Sequence, residues 1–465
     1  MAANGEVARP AGPYRRRMTT IAPSLLHEPG SPAYEDACVL FNSMIATRPR
    51  YVARCASADD VAEALAFAAA RGLEVSVRAG GHAVSGRALC DGVVLDVRGI
   101  DFVEVDPVRR VARVGGGATW AQVDRATQEH GLATTGGRVS STGVAGLTLG
   151  GGSGWLERKH GLACDNLLAA ELVTAQGERV RASATENPDL LWALRGGGGN
   201  FGVVTALELT LHPVGPEVLA GIVLYPEERA AQLLRAFRDV MRDAPDELSL
   251  AYLSLTVPED PDFPPEWHGR PAVAVGGMWA GDAADGQREL AGLRGLGDPI
   301  ADFFGVMPYV DFQCMLDDPP GYRNYWTAEQ ADDLPDELVD AIVERCAERP
   351  AGPSQLFLVG WGGAMARIGR EHSPLAERGA RFVVHPLSLW EDPADDARAI
   401  AWSRGFRELM APYRTGGAYL NFLGDEGGER VRAAFGEDGH DRLARVKARF
   451  DPGNVFRGNH NVAPA

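Results

Sequence analysis

From Arg48 the chain alternates short β-branched runs with stretches whose apolar positions recur at helical spacing, which predicts mixed helices and sheets. Ser57 is a good helix N-cap with Asp60 three residues on. Val61 to Ala70 then carries apolar residues at helical spacing and Gly72 closes the segment. Strands are expected at Leu73–Arg78, Val93–Val97 and Val111–Val114, followed by a helix from Thr119 to His130 that stops at Gly131. Between Gly131 and Gly154 glycine, serine and threonine dominate and no amphipathic period survives. Next come a hairpin over Leu168–Ala175 and Glu178–Ala182, a short helix over Asn187–Leu194 and a strand over Gly202–His212.

Pro213 and Pro216 punctuate the chain and suggest a domain boundary. Beyond them, strands at Leu219–Leu224, Leu248–Thr256, Ala272–Trp279, Gln355–Gly360 and Phe382–Leu389 alternate with helices at Glu228–Arg242, Asp282–Leu293 and Leu334–Ala347. Helices on one face of an antiparallel sheet are the natural fold for this stretch, so the class is α+β. A strand at Ala418–Leu423 and a helix at Asp438–Phe450 precede a Pro/Gly/Asn-rich end, and no internal repeat is found.

Composition narrows the function. With 465 residues, 45% apolar and 23% charged, the chain reads as an ordinary globular protein of two or three units. The net charge of −17 argues against nucleic acid and anionic membrane surfaces as partners. No apolar run approaches the roughly 18 residues that span a bilayer. Arg15-Arg16-Arg17 is followed by polar residues and prolines rather than an export signal's apolar core, so residues 1–20 read as a frayed tail. Six cysteines without a Cys-x-x-Cys pair suggest neither zinc nor a disulfide framework, and fit a cytoplasmic location.

The 56 glycines are clustered, and three clusters carry candidate chemistry. In Val75–Gly86 a strand runs into Gly80-Gly81-His82. Successive N–H groups there can form a concavity for a pyrophosphate, or the segment is a tight turn with a surface histidine. Thr135–Trp155 is too apolar for a flexible linker and looks like backbone wrapped round something flat. Gly197–Gly202 satisfies Gly-x-Gly-x-x-Gly, but the residues after it alternate like a strand, which excludes a Rossmann nicotinamide site. The acidic stretch Glu329–Asp340 reads as a solvated helix start or as an attractor of cations.

Arg78–His82, Gly143–Trp155, Arg158–Asn166, Leu190–Gly202 and Asp451–Asn461 together resemble FAD-linked oxidases of the berberine-bridge-enzyme type, in the vanillyl-alcohol-oxidase superfamily. The resemblance implies a two-domain flavoprotein. Residues 1–47 would be a tail and lead-in, 48–216 the FAD-binding domain, 217–412 an α/β substrate domain with an antiparallel sheet, and 413–465 a segment returning to the FAD domain.

It also implies covalent attachment of FAD through His82. A second link to cysteine is not expected, since Val139, Ser140 and Ser141 stand at the matching place and Cys164 lies outside it. The implied cofactor contacts in the first cluster are Arg78, Gly80, Gly81, Ala83 and Ser85. In the second they are Ser141, Thr142, Gly143, Gly146, Gly150, Gly151, Gly154 and Trp155. Gly202, Val203, Val204, Asn459 and Asn461 complete the set, and no metal is expected.

On the substrate side the family's basic tyrosine is replaced by Phe422. Tyr325, His385 and Tyr419 remain as catalytic candidates, although strand alternation would put Tyr419 on the face opposite Phe422. The expected function is an oxidase of secondary metabolism that moves hydride from a small alcohol, amine or metabolic intermediate to FAD. Dioxygen would be the second substrate, giving hydrogen peroxide. A same-fold dehydrogenase with another electron acceptor, or a flavin carrier without turnover, are the alternatives.

Overall fold

The computed structural model describes residues 21–317, 321–350, 352–424, 426–458 and 460–465. The expected tail at residues 1–20 lies outside them. Three large sheets and a two-stranded pair, Leu132–Ala133 with His212–Pro213, organise the rest. In the first, Tyr51–Arg54, Val93–Asp96 and Val75–Arg78 run parallel, with Leu26–His27 antiparallel at one edge. The helix Ala58–Arg71 makes the crossover, capped by the Ser57 side chain on the Asp60 N–H and closed by Gly72 at φ 62°. Its Val61, Leu65 and Phe67 share a core with Val93 and Leu95.

The second sheet is antiparallel, in the order Val103–Asp106, Val111–Gly115, Val203–Thr210, Leu167–Val173, Arg179–Ser183. The third has nine strands, with Glu217–Pro226, Pro271–Trp279, Leu248–Thr256, Gln355–Gly360 and Phe382–Trp390 as its long members. Helices Ala230–Arg242, Ala283–Arg294, Asp336–Ala347 and Asp396–Met410 bury Leu233, Phe237, Leu290, Ile342 and Phe406 against one face. The other face, including Ala251, Phe357 and Val359, shares a core with Leu149, Trp155 and Trp361. The glycine-rich run therefore meets the open face of the large sheet.

Three local expectations are corrected. The stretch Gly131–Gly154 contains a helix, Val144–Leu149, too short to show an amphipathic period. Ala418–Leu423 is not a strand: the backbone turns at Leu420–Phe422, where Asn421 Nδ2 donates to the Leu147 carbonyl and no ladder forms. The argument from strand alternation fails with it, since the Tyr419 and Phe422 rings meet edge to face at 4.8 Å.

The acidic stretch also divides. Asp333, Asp336 and Asp340 pair with Arg242, Arg238 and Arg235 around a helix start, while Glu329 is buried beside Arg430. The Gly197–Gly202 cluster follows the helix Pro188–Leu194 and precedes the strand Val203–Thr210, opposite to the order a Rossmann site requires.

Candidate functional site

The strand Val75–Arg78 ends at Gly80-Gly81-His82 because the chain must cross another backbone there. A Cβ on Gly80 would overlap the main chain of Gly143, and Gly81 adopts φ 75°. The two glycine loops thus lie against each other, and Ser141 Oγ comes within 2.9 Å of His82 Nε2. One face of the imidazole is covered by Phe41, stacked at 4.5 Å with planes 22° apart. Burial pushes His82 down to about 4, so at neutral pH the ring is uncharged and keeps a lone pair.

Among the described residues, none of the backbone N–H groups from Gly80 to Ser85 is engaged by an acceptor. Such a run of unpaired donors is an anion concavity of the kind a pyrophosphate fills. The second cluster is less open than its composition suggested. Gly136 abuts Trp120, Gly150 abuts Asn421, Gly151 abuts Tyr419 and Gly154 abuts Gly136. Gly146 differs: it is exposed, and a Cβ on it would meet nothing within 4 Å. It leaves an apolar helical face clear for a flat group between the His82 loop and the large sheet.

Beyond Phe41 a row of aromatic rings continues across the crevice. Trp326 lies 5.7 Å from Phe41, His385 5.5 Å from Trp326, and Phe422 stacks on His385 at 4.1 Å and 10°. Tyr419 and then Trp361 extend the row, at 4.8 Å and 5.3 Å. Asn42, itself buried, holds the near end together. Its Nδ2 donates to the carbonyls of Val84 and Asn324 at 2.7 and 2.9 Å, and its Oδ1 accepts from the Asn324 N–H at 2.9 Å. One side chain thereby ties the His82 loop to the strand Arg323–Trp326.

His385 is buried, and its Nδ1 is 2.8 Å from the Thr327 carbonyl, an acceptor. Nδ1 must therefore carry the proton, leaving the lone pair on Nε2, which has no partner among the described residues. Burial holds this ring down to about 4, and the Arg138 cation adds to the effect. The Tyr419 phenol oxygen accepts from the N–H groups of Gly152 and Ser153 at 2.7 and 2.6 Å and from Asn421 Nδ2 at 3.3 Å. Burial raises its pKa, so it stays a neutral phenol that holds the glycine turn.

The other expected residues fall into distinct places. The Arg78 guanidinium turns away from the crevice to the carbonyls of Val39 and Ala79, which anchors the segment carrying Phe41. Ala83 is exposed and Ser85 half-buried on the loop of free N–H groups, and Thr142 N–H is spent on the Val139 carbonyl. Trp155 is buried under Arg138, 4.7 Å away, and beside Phe312 at 5.1 Å. Gly202 packs on Val173 and Leu172, Val203 and Val204 are buried in the second sheet, and Asn461 Oδ1 is buried without a partner. Asn459 lies outside the described residues.

Tyr325 is not brought to the row. Its strand neighbours Asn324 and Trp326 face inward, while its hydroxyl accepts from Arg404 Nε at 3.1 Å on the outer helix. Cys164 is fully buried, with its thiol pushed up by desolvation.

Sequence reasoning missed Phe41, Asn42, Trp326 and Asp317, whose carboxylate accepts from Ser140 N–H and Oγ at 2.6 Å each. None sits in a motif or a period. An Asn directly after the apolar run Val39-Leu40-Phe41 in the lead-in was the one available hint.

Comparison with known proteins agrees with this geometry. The family described as "FAD binding domain" matches residues 49–183, and "Berberine and berberine like" matches residues 418–463. The chain is 33% identical over 431 residues to (R)-6-hydroxynicotine oxidase of Paenarthrobacter nicotinovorans, covering 90% of this chain and 92% of that one. The crystal structure of 6-hydroxy-D-nicotine oxidase from Arthrobacter nicotinovorans superimposes with a TM-score of 0.86 at 30% identity, over 95% and 98% of the two chains. Xylooligosaccharide oxidase from Myceliophthora thermophila C1 shares the fold, with a TM-score of 0.83 at 22% identity over 95% and 97%. The free N–H concavity, the open face of Gly146 and the unpartnered Asn461 oxygen fit a dinucleotide with a flat ring, and this chain belongs to the FAD-linked oxidoreductases of the berberine-bridge-enzyme type.

Proposed function

We propose that the chain is an oxidase that carries FAD bonded to His82 alone, between a flavin domain of residues 48–216 with 413–465 and a substrate domain of residues 217–412. The observation that carries the reading is the His82 imidazole, stacked on Phe41 and in contact with Ser141 Oγ, beside the unpaired N–H groups of residues 80–85. FAD would supply here a two-electron acceptor for hydride from a substrate carbon, with dioxygen as the final acceptor and hydrogen peroxide as the product.

The chain's own residues do the rest. Gly80 to Ser85 would hold the pyrophosphate, Gly146 would leave room for the flat ring, and Asn461 would offer an acceptor. Tyr419 fixes the Gly152-Ser153 turn. Trp326 and Phe422 orient the substrate, and His385 Nε2 accepts a proton from it, next to the position where Phe422 cannot. Holding the substrate and excluding water then set the rate, since the acceptor nitrogen needs no activation at neutral pH.

Acid-precipitated protein should stay yellow, and His82→Ala should release its flavin under the same treatment. A colourless wild-type pellet would refute covalent attachment. Oxygen consumption with peroxide formation after anaerobic bleaching separates oxidase from dehydrogenase: slow reoxidation in air would refute the oxidase.

A further inference from the structure

We propose that Asp317 is a positioning residue for the bond between His82 and the flavin. Its carboxylate holds the Ser140-Ser141 turn against the imidazole and stabilises the positive charge that the ring takes on as the bond forms. The proposal rests on the flavin reading above and concerns how the cofactor is attached.

Asp317 follows the short helix Tyr309–Gln313, which reaches over from the part of the chain that carries the large sheet. Gln313 Nε2 donates to Asp124 Oδ2 at 3.1 Å and to the Gly137 carbonyl at 3.4 Å, so this helix is fixed on the helix Trp120–Gln128 and on the glycine loop. Asp317 then grips Ser140 at two points: one carboxylate oxygen accepts the N–H and the other the hydroxyl, at 2.6 Å each. The next residue, Ser141, places its Oγ 2.9 Å from His82 Nε2. A residue held at both its backbone and its side chain leaves its neighbour little freedom, so the Ser141 hydroxyl meets the ring in a set place.

Both groups that hold the Asp317 carboxylate are neutral, and among the described residues no arginine or lysine pairs with it. Two charged residues act on the His82 ring in opposite senses. Asp317 favours the cationic imidazole, and Arg78, whose guanidinium is spent on the carbonyls of Val39 and Ala79, disfavours it. Burial outweighs both and keeps the resting ring neutral.

A neutral ring serves the start of the attachment, and a stabilised cation serves its middle. With Nε2 against Ser141 Oγ, Nδ1 is the nitrogen without a partner among the described residues, and its lone pair forms the bond to a methyl carbon of the flavin. That carbon gives up one proton and the imidazole gives up its N–H proton. The electron pair of the broken C–H bond stays on the flavin and passes with both protons to dioxygen, which leaves as hydrogen peroxide. Between bond formation and proton loss the imidazole carries a positive charge. A cation on a partly desolvated ring is costly, and a fixed carboxylate next to its hydroxyl contact lowers that cost. The carboxylate is exposed, so solvent screens it in part and the expected effect is about one order of magnitude.

The test uses the whole chain, purified flavin-free from riboflavin-starved cells and mixed with FAD in air. Quenching of flavin fluorescence reads binding, and acid-stable yellow colour against time reads attachment. Asp317→Asn keeps an acceptor for one of the two Ser140 donors and removes the charge. It should slow attachment about tenfold, the equivalent of one pKa unit from an opposite charge, with FAD affinity within about twofold of the wild type. Asp317→Glu, which keeps the charge, should recover part of the rate. Ser140→Ala removes one hydrogen bond and leaves the carboxylate, so it should slow attachment less than Asp317→Asn does.

Attachment by Asp317→Asn within about twofold of the wild type, no recovery by Asp317→Glu, or a Ser140→Ala rate as low as that of Asp317→Asn would each overturn the proposal. Loss of FAD binding in Asp317→Asn would overturn it too, by making the residue part of the cofactor's seat. A wild-type chain that keeps no flavin after acid would instead overturn the flavin reading.

Discussion

Lys447 and Asp451 are both fully buried, at 0% exposure each, at the end of the helix Gly428–Phe450. Lys447 Nζ donates to the carbonyls of Asn200 and Phe456 at 2.7 and 2.8 Å and to Asp451 Oδ2 at 2.8 Å. Asp451 in turn accepts from the N–H groups of Val455 and Phe456 at 2.9 Å each. The pair therefore joins the glycine cluster before the strand Val203–Thr210 to the C-terminal tail. Lys447→Met keeps the length and removes the charge, leaving a buried carboxylate with two N–H partners and two carbonyls with none.

Breaking a buried pair from one side costs about 3–5 kcal/mol. At about 2.1 cal/mol/K per residue, unfolding 465 residues as one unit carries roughly 1 kcal/mol/K of entropy, so the midpoint should fall by about 3–5 °C. Adding Asp451→Asn removes the stranded charge and keeps an acceptor for one of the two N–H groups, with its amide nitrogen set against the other, and should recover part of the loss. Scanning calorimetry of the three proteins decides it. A fall below about 1 °C, or a double variant no better than the single one, would refute the assignment of this pair as a lock on the tail.

Four further outcomes are expected. Gly146→Leu should leave the flavin-free protein as stable as the parent or up to about 1 kcal/mol more so, because the helical position is open, yet prevent flavin binding; retained yellow colour would refute the open face as the ring's seat. Ser141→Ala should slow covalent flavin attachment and Ser141→Thr should restore it, measured as the flavin fraction that survives denaturation.

Burial raises Asp124 from 3.8 to about 7 in the fold, so the folded chain holds a proton that the unfolded chain loses above about pH 4. Stability is therefore lost as pH rises toward 7, and Asp124→Asn should raise the midpoint more at pH 8 than at pH 5. Because His385 is protonated only below about 4, kcat/KM should stay flat from pH 8 to about 5 and fall below 4. A loss centred near 6.5 would mean an unperturbed histidine.

The flavin half was legible because its chemistry is local. Ser57 and Gly72 announced the crossover helix, and Gly80-Gly81-His82 announced a turn where backbone meets backbone, as the contact with Gly143 shows. Within Thr135–Trp155 the glycine that leaves room for a side chain is Gly146. Most other glycines of that run are small because Trp120, Tyr419 and Asn421 stand against them, and composition alone does not separate a Cβ excluded by a ligand from one excluded by a neighbouring side chain. The turn at Leu420–Phe422 hid for a related reason. Its residues alternate like a strand, but the N–H groups of Phe422 and Leu423 are spent on the carbonyls of Tyr419 and Leu420 three residues back, so they are not offered to a ladder.

The substrate wall is assembled on a different scale. Phe41, Trp326, His385 and Phe422 come from four separate segments, and no window of sequence contains two of them in a recognisable period. What brings them together is Asn42, whose amide satisfies a loop and a strand 282 positions away, and the antiparallel register that sets Phe357 opposite His385. Pairing of this kind is decided by which buried polar groups can satisfy one another after the sheets have formed. The same physics explains why His385 could be named from the sequence only as an isolated histidine on a strand. Its tautomer, and with it the free acceptor nitrogen, exists only once Thr327 presents a carbonyl to the other side of the ring.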